Sequence, residues 1–128
     1  MISKREGHVS VTCGDSIYSI GGYDGNQYLN SAERYDIQTD KWISIAPMKQ
    51  QRAFHGAVSI GESIFVIGGW NGSGLKSVEM YDVRSNQWME ITSLNIGRQY
   101  LTASICGNSI FAIGGWDGKQ PLKKVEKL

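Results

Sequence analysis

Two histidines, His8 and His55, and two cysteines, Cys13 and Cys106, are the side chains of this sequence best suited to hold a soft metal or to serve as nucleophile and base. Their spacing suits neither task. Zinc-type sites are built on close pairs such as Cys-x-x-Cys or His-x-x-x-His, and neither occurs here. No serine stands in a Gly-x-Ser-x-Gly turn, and neither histidine has an obvious partner to orient it as the base of a triad. The pairs Gly21-Gly22, Gly68-Gly69 and Gly114-Gly115 lack the attached Lys-Ser or Lys-Thr, and the helix start, of a phosphate cradle. The sequence therefore assigns no catalytic residue, no metal ligand and no cofactor.

The charged residues follow a different logic, because they recur. Arg5, Arg52 and Arg98 each stand 16 residues before a glycine pair. Glu33, Glu79 and Glu126 occupy matching places, as do Asp36 and Asp82. A catalytic centre needs a unique constellation, whereas a scaffold needs the same bond in every unit. The acids are accordingly expected to make turn and inter-strand hydrogen bonds, and the arginines to anchor one unit to the next, with a ring of recognition side chains as the alternative. His8 and His55 follow their arginines by three residues and read as packing positions. Cys13 and Cys106 share one register with a whole unit between them, too far apart for a disulfide, whose Cα atoms must lie within about 7 Å; both are expected to be buried thiols.

Composition narrows the partners. Of 128 residues, 41% are hydrophobic and 20% charged, the balance of one globular unit. The net charge of +1 is too small for the field that phosphate backbones or anionic lipids demand, so neither nucleic acid nor membrane is expected. No apolar run approaches the roughly 20 residues of a membrane-spanning helix. Two cysteines cannot staple a small secreted domain, which points to the cytoplasm, with nucleus or cytoskeleton as variants. The cluster Lys119, Lys123, Lys124 and Lys127 reads as a solvated edge.

The elements that carry these residues follow from the period. The glycine pairs lie 47 and 46 residues apart, while Tyr35-Asp36 and Tyr81-Asp82 are separated by 46, as are Trp42 and Trp88. Repeats of that length build propeller blades or helical arrays. The runs Ser16 to Ile20, Ser63 to Ile67 and Ser109 to Ile113 are β-branched, aromatic and closed by Gly-Gly, far too short for helices. Gly14-Asp15, Gly61-Glu62 and Gly107-Asn108 join them to preceding apolar runs as tight hairpins. Third strands are expected over Ala32 to Asp36, Val78 to Asp82 and from Val125, and fourth strands around Trp42 and Trp88. Four antiparallel strands per unit make one propeller blade.

Arg at the start, apolar-Gly-Gly-aromatic-Asp/Asn-Gly in the middle, then Glu-x-Tyr-Asp and Trp, resembles the kelch repeat. The residues are Tyr23-Asp24-Gly25, Trp70-Asn71-Gly72 and Trp116-Asp117-Gly118, with Glu33-Arg34-Tyr35-Asp36 and Glu79-Met80-Tyr81-Asp82. They are most similar to the propeller repeats of BTB-kelch proteins. The expectation is an all-β kelch-type propeller segment over residues 1–128. Its blades are 5–46 and 52–92, with a third at 98–128 that lacks its outermost strand. The resemblance implies a ring of about six blades, which one copy cannot close. The chain is thus either a segment of a longer protein or a unit that self-associates through its open blade faces.

Function is expected where the units differ. Glu6-Gly7, Ala53-Phe54 and Gln99-Tyr100 follow the arginines, and Asn26-Gln27-Tyr28, Ser73-Gly74-Leu75 and Lys119-Gln120-Pro121 follow the glycine pairs. The resemblance implies that both sets emerge at one end of the propeller, where kelch proteins bind peptide segments. Tyr23, Tyr28, Phe54, Trp70, Gln99, Tyr100 and Trp116 are the candidate partner-binding residues. Exposed aromatics beside variable polar groups are the material of binding hot spots. Gly21, Gly22, Gly68, Gly69, Gly114, Gly115, Tyr35, Tyr81, Trp42, Trp88 and the three arginines are candidate scaffold positions. Kinship with BTB-kelch proteins implies a non-enzymatic substrate-recognition arm of a cullin-type ubiquitin ligase. Actin binding is the alternative, and a copper oxidase or sugar-acid epimerase is the remote one.

Overall fold

A computed structural model describes residues 1–128, all of them in strands, turns and loops without a helix. Eleven strands run in chain order: β1 Val9–Cys13, β2 Ser16–Ile20, β3 Ala32–Asp36, β4 Lys41–Ile45, β5 Gly56–Ile60, β6 Ser63–Ile67, β7 Ser77–Asp82, β8 Gln87–Ser93, β9 Thr102–Cys106, β10 Ser109–Ile113 and β11 Val125–Lys127. They form two four-stranded sheets, β1-β2-β3-β4 and β5-β6-β7-β8, and a three-stranded sheet in which β10 lies between β9 and β11. Every pairing is antiparallel. The three sheets are the blades of an unclosed propeller.

Local chemistry sets these elements. Gly14, Gly61 and Gly107 hold φ near +60° while the residues after them do not, the pattern of a type II′ hairpin turn that admits glycine first. At the β3–β4 and β7–β8 turns, Asp36 Oδ1 accepts from the Gln38 N–H and Asp82 Oδ1 from the Arg84 N–H. These are the turn roles expected of the recurring aspartates. In the second sheet Tyr81 donates its hydroxyl to Asn86 Oδ1 at 2.7 Å.

Two cores lie between the sheets. The first gathers Cys13, Tyr18, Ile20 and Ala32 of the first sheet with Ile64, Val66, Tyr81 and Trp88 of the second. The second joins Val58, Ile67, Val78 and Leu94 to Leu101, Ile110 and Ala112. Trp88 also donates Nε1–H to the carbonyl of Ala46 at 2.7 Å, and Asn86 Oδ1 accepts the Ala46 N–H at 3.0 Å. The outer edge of the second sheet thereby holds the strand leaving the first. Burial pushes the Tyr81 phenol up to about 12, with Tyr18 beside it adding to the shift.

The arginines correct one expectation. Arg52 is fully buried, and it donates to the carbonyls of Gly68 at 2.7 Å and Ser77 at 3.1 Å, to Ser77 Oγ and to Glu79 Oε2 at 2.8 Å. All four acceptors belong to its own unit, so the side chain locks a blade internally rather than joining two. Arg5 and Arg98 repeat the arrangement with Gly21, Ser31 and Glu33, and with Gly114, Lys124 and Glu126. Each glutamate also accepts two backbone N–H groups from the segment leading into its blade: Ile2 and Ser3, Lys49 and Gln50, Asn95 and Ile96. It is the arginine backbone that joins blades, since the Arg52 carbonyl accepts from Gly22 N–H at 2.8 Å and the Arg98 carbonyl from Gly69 N–H at 2.8 Å.

Cys106 supplies a second correction. Cys13 is buried against the second sheet, but Cys106 is exposed because no further sheet packs on the third.

Candidate functional site

At one end of each blade the residue after the arginine pairs with the aromatic after the glycine pair. Glu6 bridges Tyr23, Ala53 bridges Trp70 and Gln99 bridges Trp116. The same aromatics bridge onward to Tyr28, Gly74 and Pro121. Both variable sets are therefore tied into one small ladder per blade. Asp24 Oδ1 holds the first loop through the N–H groups of Asn26 and Gln27, and Asp117 Oδ1 holds the third through those of Lys119 and Gln120. These bonds keep both carboxyls below the usual carboxylate range, those of Asn26 and Gln120 acting most strongly. Asn71 has no such bonds in the second loop.

Glycine pairs make this approach possible. At Gly21 a β-carbon would stand 2.5 Å from the Arg52 carbonyl oxygen, and at Gly22 another would stand 2.6 Å from that of Glu6. Backbone can come that close only to a residue without a side chain.

Across the rim of the three blades the ladders enclose an open depression of about 760 Å³, lined by Tyr28, Phe54, Trp70, Gln99, Tyr100, Gly115, Trp116, Pro121 and Leu122. Six of the seven residues picked out by sequence are brought together here. Tyr23 is not in the lining; its ring packs on Tyr28 at 5.1 Å between centroids and supports it from behind. Leu122 escaped the sequence reading because it falls one residue past the variable stretch Lys119-Gln120-Pro121, where the first unit also carries a leucine, Leu29. Gln99 is nearly buried, whereas Tyr100 is 62% exposed and Trp116 37%.

Phe54 and Tyr100 form the inner wall, their rings 4.7 Å apart and inclined by 34°. Both hold positive φ, 58° and 57°, and the residue in their register in the first blade is Gly7, at 63°. A left-handed backbone costs a side-chain-bearing residue roughly 1–2 kcal/mol. Their backbones also run in series, Phe54 N–H donating to the Gly7 carbonyl at 2.7 Å and Tyr100 N–H to that of Phe54 at 2.8 Å. The result is a stair of glycine, phenylalanine and tyrosine around the inner mouth of the blades.

Below the stair sits His55, buried, with the Ile20 backbone beside its ring at a geometry short of a full hydrogen bond. Burial, reinforced by Arg52, lowers its pKa to about 3, so the ring is neutral. Its counterpart His8 is half-buried and shifted the same way by burial and by Arg5. No group of three His, Cys, Asp or Glu side chains stands close enough to hold a metal ion.

Radial antiparallel sheets, each locked by a buried Arg–Glu pair and topped by an aromatic ladder, define a repeat propeller that offers one rim. The profile of the KLHDC2/KLHL20/DRC7 Kelch-repeats domain matches residues 1–115, and the chain belongs to the kelch-repeat family. It is 48% identical to human Kelch-like protein 4 over 40 residues, or 31% of this chain and 6% of that protein. It is 42% identical to human Kelch-like protein 23 over 48 residues, or 38% of this chain and 9% of that one. The matches thus span a small part of either relative's length. Domains of this family are generally non-catalytic and bind proteins. No helix of the chain is long and apolar enough to cross a membrane.

Proposed function

We propose that the rim is a non-catalytic recognition surface, and that a protein segment docks in the depression walled by Phe54, Tyr100, Trp70, Trp116, Tyr28 and Gln99. The observation that supports it is the pair of positive φ values at Phe54 and Tyr100. Glycine stands in that register in the first blade and would suit the backbone in all three, so the second and third blades tolerate strain to present rings. Strain held against an available relief points to function. The lining offers aromatic faces and backbone groups but no acidic or basic side chain, which suits an apolar peptide segment rather than a nucleic acid or a membrane. In a longer protein of the BTB-kelch type the same surface would select substrates for a cullin-type ubiquitin ligase in the cytoplasm, with blades at 5–46, 52–92 and 98–128.

The test uses a phage-displayed peptide library selected on the wild-type chain and on a Phe54→Gly/Tyr100→Gly variant. Glycine relieves the backbone at both sites, and circular dichroism verifies that the variant is folded before binding is compared. Peptides enriched on the wild type that lose at least tenfold in affinity for the variant support the reading. Equal binding to both would move recognition elsewhere.

A further inference from the structure

We propose that the cleft between the first and second sheets, at the end of the blades opposite the rim, binds a small organic carboxylate with an apolar body. Both sheets that wall it are complete, with four strands each. The cleft encloses about 480 Å³, within the roughly 300–1,000 Å³ typical of small-molecule sites. Tyr18, Arg34 and Ile43 stand opposite one another on β2, β3 and β4, so all three share the face of the first sheet that meets the second. Tyr18 packs there against Tyr81, the rings 6.0 Å apart. Ile43, Ile45 and Val83 supply the apolar wall. Polar groups come from Tyr18, Arg34 and Asn86.

Each of these polar groups keeps donor capacity that the fold does not use. Tyr18 is 2% exposed, yet its hydroxyl has no hydrogen-bond partner in the chain, whereas those of Tyr35 and Tyr81 have Asp40 and Asn86. Buried hydroxyls are rarely left so. Arg34 is the one arginine outside an ion pair, and its guanidinium makes a single bond, to Ser16 Oγ at 3.3 Å. Its charge lies near enough to Tyr18 and Tyr81 to oppose the rise that burial gives both phenols. Asn86 Oδ1 accepts from the Ala46 N–H and the Tyr81 hydroxyl. Those bonds orient the amide and leave its NH2 group as a free donor.

Scaffold needs recur from blade to blade, and these groups do not. The place of Tyr18 is taken by Phe65 and Phe111 in the other sheets, that of Arg34 by Met80 and Lys127, and the counterpart of Asn86 in the first sheet is Asp40. Phe65 stands opposite Met80 as Tyr18 does opposite Arg34, so a blade forms without the hydroxyl or the guanidinium. Donors converging around one cation call for an anionic acceptor, and the planar guanidinium matches a carboxylate. Charge limits the choice of anion. Asp15 and Glu62 are the acids of the lining, both exposed, and Glu62 is engaged by Arg84. Arg34 balances the single charge of a carboxylate, whereas the second charge of a phosphate would go unmatched beside those acids. The rim takes no part in this site, and its reading stands or falls separately.

The experiment follows backbone amide shifts by nuclear magnetic resonance while the 128-residue chain is titrated with hydrocinnamate and isocaproate, and with the amide of hydrocinnamate and phenyl phosphate for comparison. At least one of the two acids should give saturable shifts centred on Cys13–Tyr18, Arg34 and Val83–Asn86, with an affinity at least tenfold above that of the amide and of the phosphate. Tyr18→Phe and Arg34→Met place in the first blade what the second already carries. Each should leave circular dichroism unchanged and lower the affinity for the acid, Arg34→Met by at least tenfold. If either variant fails to fold, the preference of the unsubstituted chain for acid over amide and the location of the shifts decide alone. Failure of both acids to bind at millimolar concentration, equal binding of acid and amide, tighter binding of the phosphate, shifts centred on the rim, or folded variants that bind like the wild type would each overturn the proposal.

Discussion

The ring of Phe54 lies over the α-carbon of Gly7, so close that a β-carbon on Gly7 would stand 2.6 Å from Phe54 Cε1. Gly7 is thus required twice, for its φ of 63° and for the space above it. Gly7→Ala should destabilise the chain by about 2 kcal/mol or more, from left-handed strain and overpacking together. Thermal unfolding followed by circular dichroism checks this, and an unchanged midpoint would mean that the aromatic stair is loosely seated.

Phe54→Gly should have the opposite character. It relieves a left-handed backbone worth roughly 1–2 kcal/mol, and it gives up an aromatic pair with Tyr100 worth about 0.5–1.5 kcal/mol. The ring's half-buried contact area on Gly7 and Tyr100 is lost as well, and glycine frees the unfolded chain, so the relief offsets only part of the loss and the change should cost less than the roughly 3–5 kcal/mol of truncating a core phenylalanine, measurable as a shift in the urea midpoint at constant slope. A large loss would reassign Phe54 to the scaffold.

Arg52 and Glu79 are both fully buried with 2.8 Å between Nη2 and Oε2. Removing one partner strands the other as an uncompensated charge. Arg52→Ala should therefore cost about 3–5 kcal/mol. Arg52→Met combined with Glu79→Leu should cost less than either single change, because no buried charge is left unpaired. Urea unfolding of Arg52→Met, Glu79→Leu and the double closes the cycle. A double variant worse than both singles would show that the backbone bonds of Arg52 matter more than its charge.

Strand positions were legible because glycine turns punctuate short apolar runs, and the register survived into all three sheets. The arginines were legible as recurrent but not in direction. Their acceptors lie 16 to 28 residues ahead, and nothing in the sequence says whether that reach stays within a sheet or crosses to the next. Burial of Cys106 was misjudged for a related reason: its register matches Cys13, but burial there is supplied by a neighbouring sheet. The strained backbone of Phe54 and Tyr100 left one signal, Gly7 in the same column, which two aromatic residues mask.

Acid should act on the outer two blades through their glutamates. Burial alone would raise Glu33 and Glu126, but the N–H groups of Ile2 and Ser3, and of Asn95 and Ile96, together with Arg5 and Arg98, outweigh it and hold both below the ordinary 4.5. A folded pKa below the unfolded one contributes stability that is present above 4.5 and lost as pH falls through the folded value. Glu33→Gln and Glu126→Gln should each flatten the decline of stability below about pH 4.5 while lowering it at pH 7. The check is urea unfolding at pH 7, 5 and 3, and a variant that declines as steeply as wild type would remove its carboxylate from the account.

His55 should act earlier in the same descent. Its folded pKa is about 3 against an ordinary 6.5, so below 6.5 the unfolded chain takes up a proton that the folded chain refuses. Stability from this residue is complete above 6.5 and falls on acidification by up to about 1.4 kcal/mol per pH unit. In the third blade the same position is Leu101, also buried. His55→Leu removes the proton uptake and a buried ring nitrogen without a partner, which costs about 1–3 kcal/mol when left unsatisfied. The variant should be more stable at pH 7, and its unfolding free energy should be flatter than wild type between pH 6.5 and 4.5, where the glutamates are still ionised. If both proteins lose stability in parallel over that interval, the ring is protonated or solvated in the folded chain and the buried neutral histidine is wrong.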